Sequence, residues 1–151
     1  MKRMIFFSEN NWTGLVLRLT LGFIMLPHGM QKMFGLFGGN GFRATMDYFT
    51  DTMKIPFIVS LLIIAIEFFC SIGLIAGFSS RICALLFLVI MTGAILTTNY
   101  NHGFFMNWIG NQKGEGFEYH LLVIGQCIAL LVTGSGKYSI DNMITAFIND
   151  K

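Results

Sequence analysis

Glu67 stands in the middle of FIVSLLIIAIEFFCSIGLIAG, residues 57–77, out of reach of any polar boundary. A carboxylate in hydrocarbon is costly, so it has to be paired, hydrated or protonated, and its natural chemistry is the handling of protons. His28, Gln31 and Lys32 close another apolar run, within LPHGMQKMFGLFGGNGF, residues 26–42. His102 follows a third run, and His120 opens a fourth beside Glu118. Imidazoles exchange protons near neutral pH and ligate Cu, Fe or Zn. Lysine, glutamine, asparagine and indole N–H groups donate to ligand oxygens.

Arg18 lies in the first apolar run and is the expected partner of Glu67. Counted from the same side, Arg18 is ~9 Å deep and Glu67 ~15 Å deep at the rise of an α-helix. The difference is about what an extended arginine side chain spans. A pair made this way serves either to hold two helices together or to tune a proton carrier.

These side chains need an apolar framework. Of 151 residues, 54% are hydrophobic and only 12% charged, against about 25% charged in a water-soluble domain. The class is therefore integral membrane protein, and the formal charge of +2 gives no argument for nucleic-acid binding. Four apolar runs, at about 12–33, 57–77, 82–100 and 118–134, lack the alternation of barrel strands and come near the ~20 residues that cross a bilayer. They predict an all-α, four-helix bundle in the membrane. Gly14, Arg18, Gly22, Met25, Gly29 and Lys32 recur at steps of three or four and form one stripe on the first helix, with small residues that admit a close neighbour. Ser60, Glu67 and Ser71 share one face of the second.

The second and third runs are joined by only FSSR, whereas residues 34–56 and 101–117 form long loops. The first loop holds FRATMDYFTDTM, whose apolar spacing predicts a short surface helix. The tail, GSGKYSIDNMITAFINDK, predicts an amphipathic helix over 139–149, capped by Ser139 with Asp141 in its first turn. It is read either as an interfacial helix or as a helix packed under the bundle. Lys2 and Arg3 tip a weak charge bias toward cytoplasmic termini and an uncleaved first span in the bacterial inner membrane. His28, His102, His120, Gln31, Lys32, Asn99, Trp108 and Glu118 then gather at the outward ends of their helices. That one-sidedness predicts either an outward polar pocket under the two loops or side chains at a wet interface. Cys70, Cys83 and Cys127 form no C-x-x-C motif and are expected to be free thiols within the spans. No dinucleotide-binding glycine motif and no nucleophile triad is present.

Several segments together resemble the DoxX family of small four-helix bacterial membrane proteins. They are HG..K.FG.FGG.G from His28, the span with a central Glu67, EGFEYHLL, and G.G.YSID from Gly134. The resemblance implies a redox-linked membrane protein, with members associated with quinol oxidase, thiol or quinone-response systems. On that basis the first expectation is a quinone-interacting oxidoreductase subunit, with lipid, other redox subunits and a second copy of the chain as candidate partners. Glu67, His28 and His120 would handle protons, while Gln31, Lys32, Asn99, His102, Trp108 and Glu118 would bind the cofactor. The second is a haem or transition-metal protein ligated by His28, His102 and His120. The third is a non-catalytic assembly or transport protein.

Overall fold

A computed structural model describes residues 10–149, with side chains through Phe147. Lys2 and Arg3, on which the orientation reading rests, lie outside the described residues. Among those described, every regular element is helical. Helix α1 spans Trp12–Phe34. It begins where the Asn11 side chain accepts the Gly14 N–H at 2.7 Å, an N-cap that satisfies an otherwise orphaned donor. It continues through Pro27 and ends at Gly35, whose left-handed backbone (φ 73°) returns its N–H to Gln31. A left-handed cap of this kind favours glycine.

Helix α2, Gly41–Asp47, runs directly into a π-helical turn at Tyr48–Thr52. This is the surface helix expected in the first loop, and it buries Met46. Helices α3 (Phe57–Ala76) and α4 (Ser80–Thr97) flank the tight turn. The third apolar run was expected to stay helical to Tyr100. Instead α4 stops at Thr97, and Asn99–His102 forms a 3-10 turn. Helices α5 (Glu118–Thr133) and α6 (Ile140–Asn149) complete the chain.

The long helices alternate in direction and pack in the ring order α1, α3, α4, α5 and back to α1. Leu21, Met25, Leu74, Phe87, Met91, Val123 and Leu130 fill the centre. Ile58, Phe69, Val89, Leu96, Leu122 and Val132 point outward, as lipid-facing positions should. Helices α1, α3 and α4 are long and apolar enough to cross a membrane. Helix α5, with 16 residues, measures about 24 Å, below the ~30 Å hydrocarbon thickness, and is the short member of the ring.

The predicted stripe on α1 is the buried one: Gly14, Arg18, Gly22, Met25 and Gly29 all face inward. Its glycines set the register. Gly29 lies against the backbone of Glu67 and Phe68, and Gly22 against Ser71 and Ile75. Arg18 is thereby carried down to Gly77, at the end where α1 begins. It is 1% exposed, and its guanidinium donates to five backbone carbonyls. Two belong to the last turn of α3, Leu74 (3.1 Å) and Ile75 (2.6 Å). Three belong to the segment after α5, Ser135 (2.9 Å), Lys137 (3.0 Å) and Tyr138 (2.8 Å).

Asp141 works beside it. Its carboxylate accepts the N–H groups of Ser79 and Ser80, at the start of α4, and the Ser135 hydroxyl. Arg18 and Asp141 thus tie α1, α3, α4 and the tail into one knot, satisfying backbone groups that helix ends leave open. Ser139 caps α6 by accepting the Asn142 N–H at 3.2 Å, and Met143 and Phe147 leave an apolar side exposed.

Candidate functional site

Glu67 faces the bundle interior and is 4% exposed. Its cationic partner is Lys32, whose ammonium donates to Glu67 Oε2. The expected Arg18–Glu67 pair is therefore corrected. The depth estimate measured each residue from its own helix end and assumed those ends level. The glycine-set register instead puts Gly29 opposite Glu67, with Lys32 one turn above. Arg18 is eleven residues from Gly29, about 16 Å along the helix, which is beyond its reach.

His28 lies on the turn of α1 next to Lys32. Its ring is 6.4 Å from that of Tyr119 on α5, and the Tyr119 hydroxyl donates to Met25 Sδ at 3.5 Å. His28 and Tyr119 both lie within electrostatic reach of Glu67. Three helices therefore contribute to one cluster of His28, Lys32, Glu67 and Tyr119. Tyr119 was missed in the sequence, where its neighbours Glu118 and His120 drew the attention.

Lys32 also lines a cavity of about 310 Å³ with Gln31, Gly38, Gly39, Asn40, Thr45, Tyr48 and Phe49. The glycine loop forms its rim. The Gln31 side chain donates to the Phe37 carbonyl at 3.1 Å, and Gly39 presses so closely on the Gln31 backbone that a Cβ has no room. Gln31 therefore anchors the loop while lining the cavity. Tyr48 and Phe49 come from the π turn that follows α2, where the sequence offered only a short surface helix.

The Lys32 cavity takes in no residue of the second loop. Trp108 and Glu118 line a second cavity of about 430 Å³, together with Phe104, Met106, Tyr119, Leu121 and Leu122. Glu118 accepts the Trp108 indole N–H and the Met106 backbone N–H, each at 3.0 Å. Asn99 donates to the carbonyl of Glu115 at 2.9 Å, and Glu115 accepts the Asn107 N–H at 2.8 Å. The reason is general: a long loop without regular structure must find partners for its own backbone. Asn99, Glu115 and Glu118 supply them, and the same polar residues mimic a binding site when read along the chain.

His102 packs its ring on Gly114, and His120 sits beside Tyr119. The Nδ1 atoms of both are buried without a hydrogen-bond partner. No three His, Cys, Asp or Glu side chains among the described residues are grouped as a metal site. The helices place His28 on α1, His102 after α4 and His120 on α5, and the cavities do not bring them together.

A family model matches residues 14–100, and that family is DoxX. The chain belongs to the DoxX family. It is 30% identical over 130 residues to the "Putative oxidoreductase CatD" of Bacillus subtilis (strain 168), covering 86% of this chain and 85% of that one. No solved structure matches. The DoxX match encloses Arg18, His28, Gln31, Lys32 and Glu67, together with the glycine loop. It ends before His102, His120 and the G.G.YSID tail, although that tail supported the resemblance in sequence. The chain is thus a helical membrane protein of the DoxX family, and the Lys32–Glu67 pair with its cavity lies wholly inside the DoxX match.

Proposed function

We propose that this protein is a quinone-interacting subunit of a membrane oxidoreductase, seated in the inner membrane with both termini cytoplasmic and the two long loops outward. The observation that carries the reading is the partly buried Lys32–Glu67 pair beneath a cavity walled by Tyr48 and Phe49. The cavity suits a quinone head group. It offers an ammonium donor for a carbonyl oxygen and aromatic side chains for a flat ring, at the lower end of the volume range of small-molecule sites. The name of the Bacillus relative, an oxidoreductase, supports redox work.

A bound quinone supplies two-electron, two-proton chemistry, with the electrons coming from a partner redox subunit. The chain's own residues handle position and protons. Lys32 donates an N–H toward the ligand, and Glu67 holds Lys32 at the cavity floor. A proton leaving the Lys32 ammonium is made up through His28: a protonated His28 passes one to the Glu67 carboxylate, and Glu67 passes it on to Lys32, with Tyr119 flanking the pair on the interior side. Gln31 fixes the glycine loop as the wall that keeps water from the ring.

The test combines Glu67→Gln with a photoreactive quinone. The variant should keep the helical circular dichroism of the parent and lose quinone-dependent turnover in membranes that contain its partners. The photoprobe should label the segment 31–49. Full turnover in a folded Glu67→Gln protein, or labelling elsewhere, would overturn the proposal.

A further inference from the structure

The cavity of about 430 Å³ at the start of α5 is walled by a loop that its own backbone holds in place. The Phe117 N–H donates to the Gly103 carbonyl at 3.2 Å and the Glu118 N–H to the Phe104 carbonyl at 2.9 Å, so the two ends of the loop are paired beside the helix. Gly116 presses on the carbonyls of Phe104 and Phe105, where a Cβ has no room. Phe104 packs edge-on against Phe105 and Phe117, with ring centroids 5.1 and 5.5 Å apart. Phe104 and Trp108 give the cavity its aromatic wall. Glu118 is the one charged residue of the lining. Its two hydrogen bonds, from the Met106 N–H and the Trp108 indole N–H, both end on Oε1. Oε2 accepts none from the described residues, and no lysine or arginine among them pairs with the carboxylate. Beyond Glu118 the wall continues as Leu121 and Leu122, and Leu122 is 72% exposed on the lipid-facing side. The cavity therefore joins a carboxylate oxygen, aromatic rings that attract cations and an apolar side open to the bilayer. Helix α5 is also the short member of the ring, and a bilayer thins beside a short span, which brings lipid head groups toward the level of Glu118.

We infer that this cavity binds a phospholipid whose head group ends in a primary ammonium, with the ammonium on Glu118 Oε2 beside the aromatic wall and an acyl chain over Leu121 and Leu122. A head group without a cation would leave the Glu118 charge unmatched, and a soluble amine would leave the apolar side of the cavity uncovered. None of the lining residues also lines the Lys32 cavity, so the lipid site stands or falls separately from the function proposed above.

The experiment places the full chain in nanodiscs with equal amounts of phosphatidylethanolamine and phosphatidylglycerol of matched acyl chains, releases it, and identifies the retained lipids by native mass spectrometry. The parent should retain phosphatidylethanolamine in preference to phosphatidylglycerol. Glu118→Gln keeps a side-chain oxygen for the Met106 and Trp108 N–H groups and removes only the charge. It should keep the circular dichroism of the parent and retain phosphatidylethanolamine about tenfold less, as loss of one charge-assisted hydrogen bond predicts. Leu122→Trp, at a lipid-facing position, narrows the cavity without touching the core and should lower retention as well. No preference for phosphatidylethanolamine in the parent, or an undiminished preference in either folded variant, overturns the site. Retention of octylamine that depends on Glu118, in a parent protein with no phosphatidylethanolamine preference, overturns the assignment to a lipid.

Discussion

Gly29→Ala should damage this protein although it adds a single methyl group. The new Cβ would lie 2.7 Å from both the Cα and the backbone nitrogen of Phe68, about 0.7 Å short of the 3.4 Å at which ordinary contact begins. The obstacles are backbone atoms of α3, which cannot swing aside as a side-chain tip would. Helices α1 and α3 must therefore separate by several tenths of an ångström along their shared seam. Overpacking of this kind costs about 1–3 kcal/mol. Against it stands the gain of replacing glycine in a helix, about 0.5–1 kcal/mol. Gly93→Ala is the matched control, because nothing lies within 4 Å of its added Cβ, and it should be neutral or stabilising by that amount. Unfolding in mixed micelles with increasing dodecyl sulfate, followed by circular dichroism, measures both. Gly29→Ala should fall below Gly93→Ala by about 1–3 kcal/mol, since the glycine gain cancels between them. It should also weaken quinone-dependent turnover, because the shifted seam carries Lys32 away from Glu67. Equal stability of the two variants would refute the close-packed register on which the Lys32–Glu67 pairing depends.

Two further outcomes follow from the charged groups. Removing one partner of a buried ion pair costs about 3–5 kcal/mol, whereas replacing both with apolar groups is often neutral. Lys32 keeps 28% of its side chain exposed, so Lys32→Met and Glu67→Leu should each fall at or below the lower end of that range, and the double variant should recover most of the loss. A coupling under about 0.5 kcal/mol in the same unfolding assay, the usual error of additivity, would refute the pairing. Arg18→Lys should be destabilising despite the kept charge, by about 2 kcal/mol or more, because an ammonium has three N–H groups and no fork to serve carbonyls on two segments. Unchanged stability of Arg18→Lys would show that the five carbonyl bonds contribute little.

The sequence by itself determined which residues lie inside. The spacing of Gly14, Arg18, Gly22, Met25 and Gly29 defines one face of α1, and that face is the buried one. The same holds for Ser60, Glu67 and Ser71 on α3. Periodicity is a property of one helix, and a helix carries its own face with it wherever it packs. The N-cap at Ser139 was legible for the same reason, since a cap is settled within a few residues of chain.

Partnership was not legible, because it depends on the stagger between two helices. A stagger of nearly two turns, set by glycines meeting backbone, gives Glu67 to Lys32 and sends Arg18 into a cage of carbonyls. No count along either helix contains that offset. The polar residues of the second loop misled for a related reason. Asn99, Glu115 and Glu118 are of types that bind ligands, and only the folded loop reveals that its own unpaired N–H and C=O groups take them first. The roles of Tyr48, Phe49 and Tyr119 arise where separate elements come within a few ångströms. The tertiary structure alone decides such meetings, because they are fixed by packing between helices that share no local sequence signal.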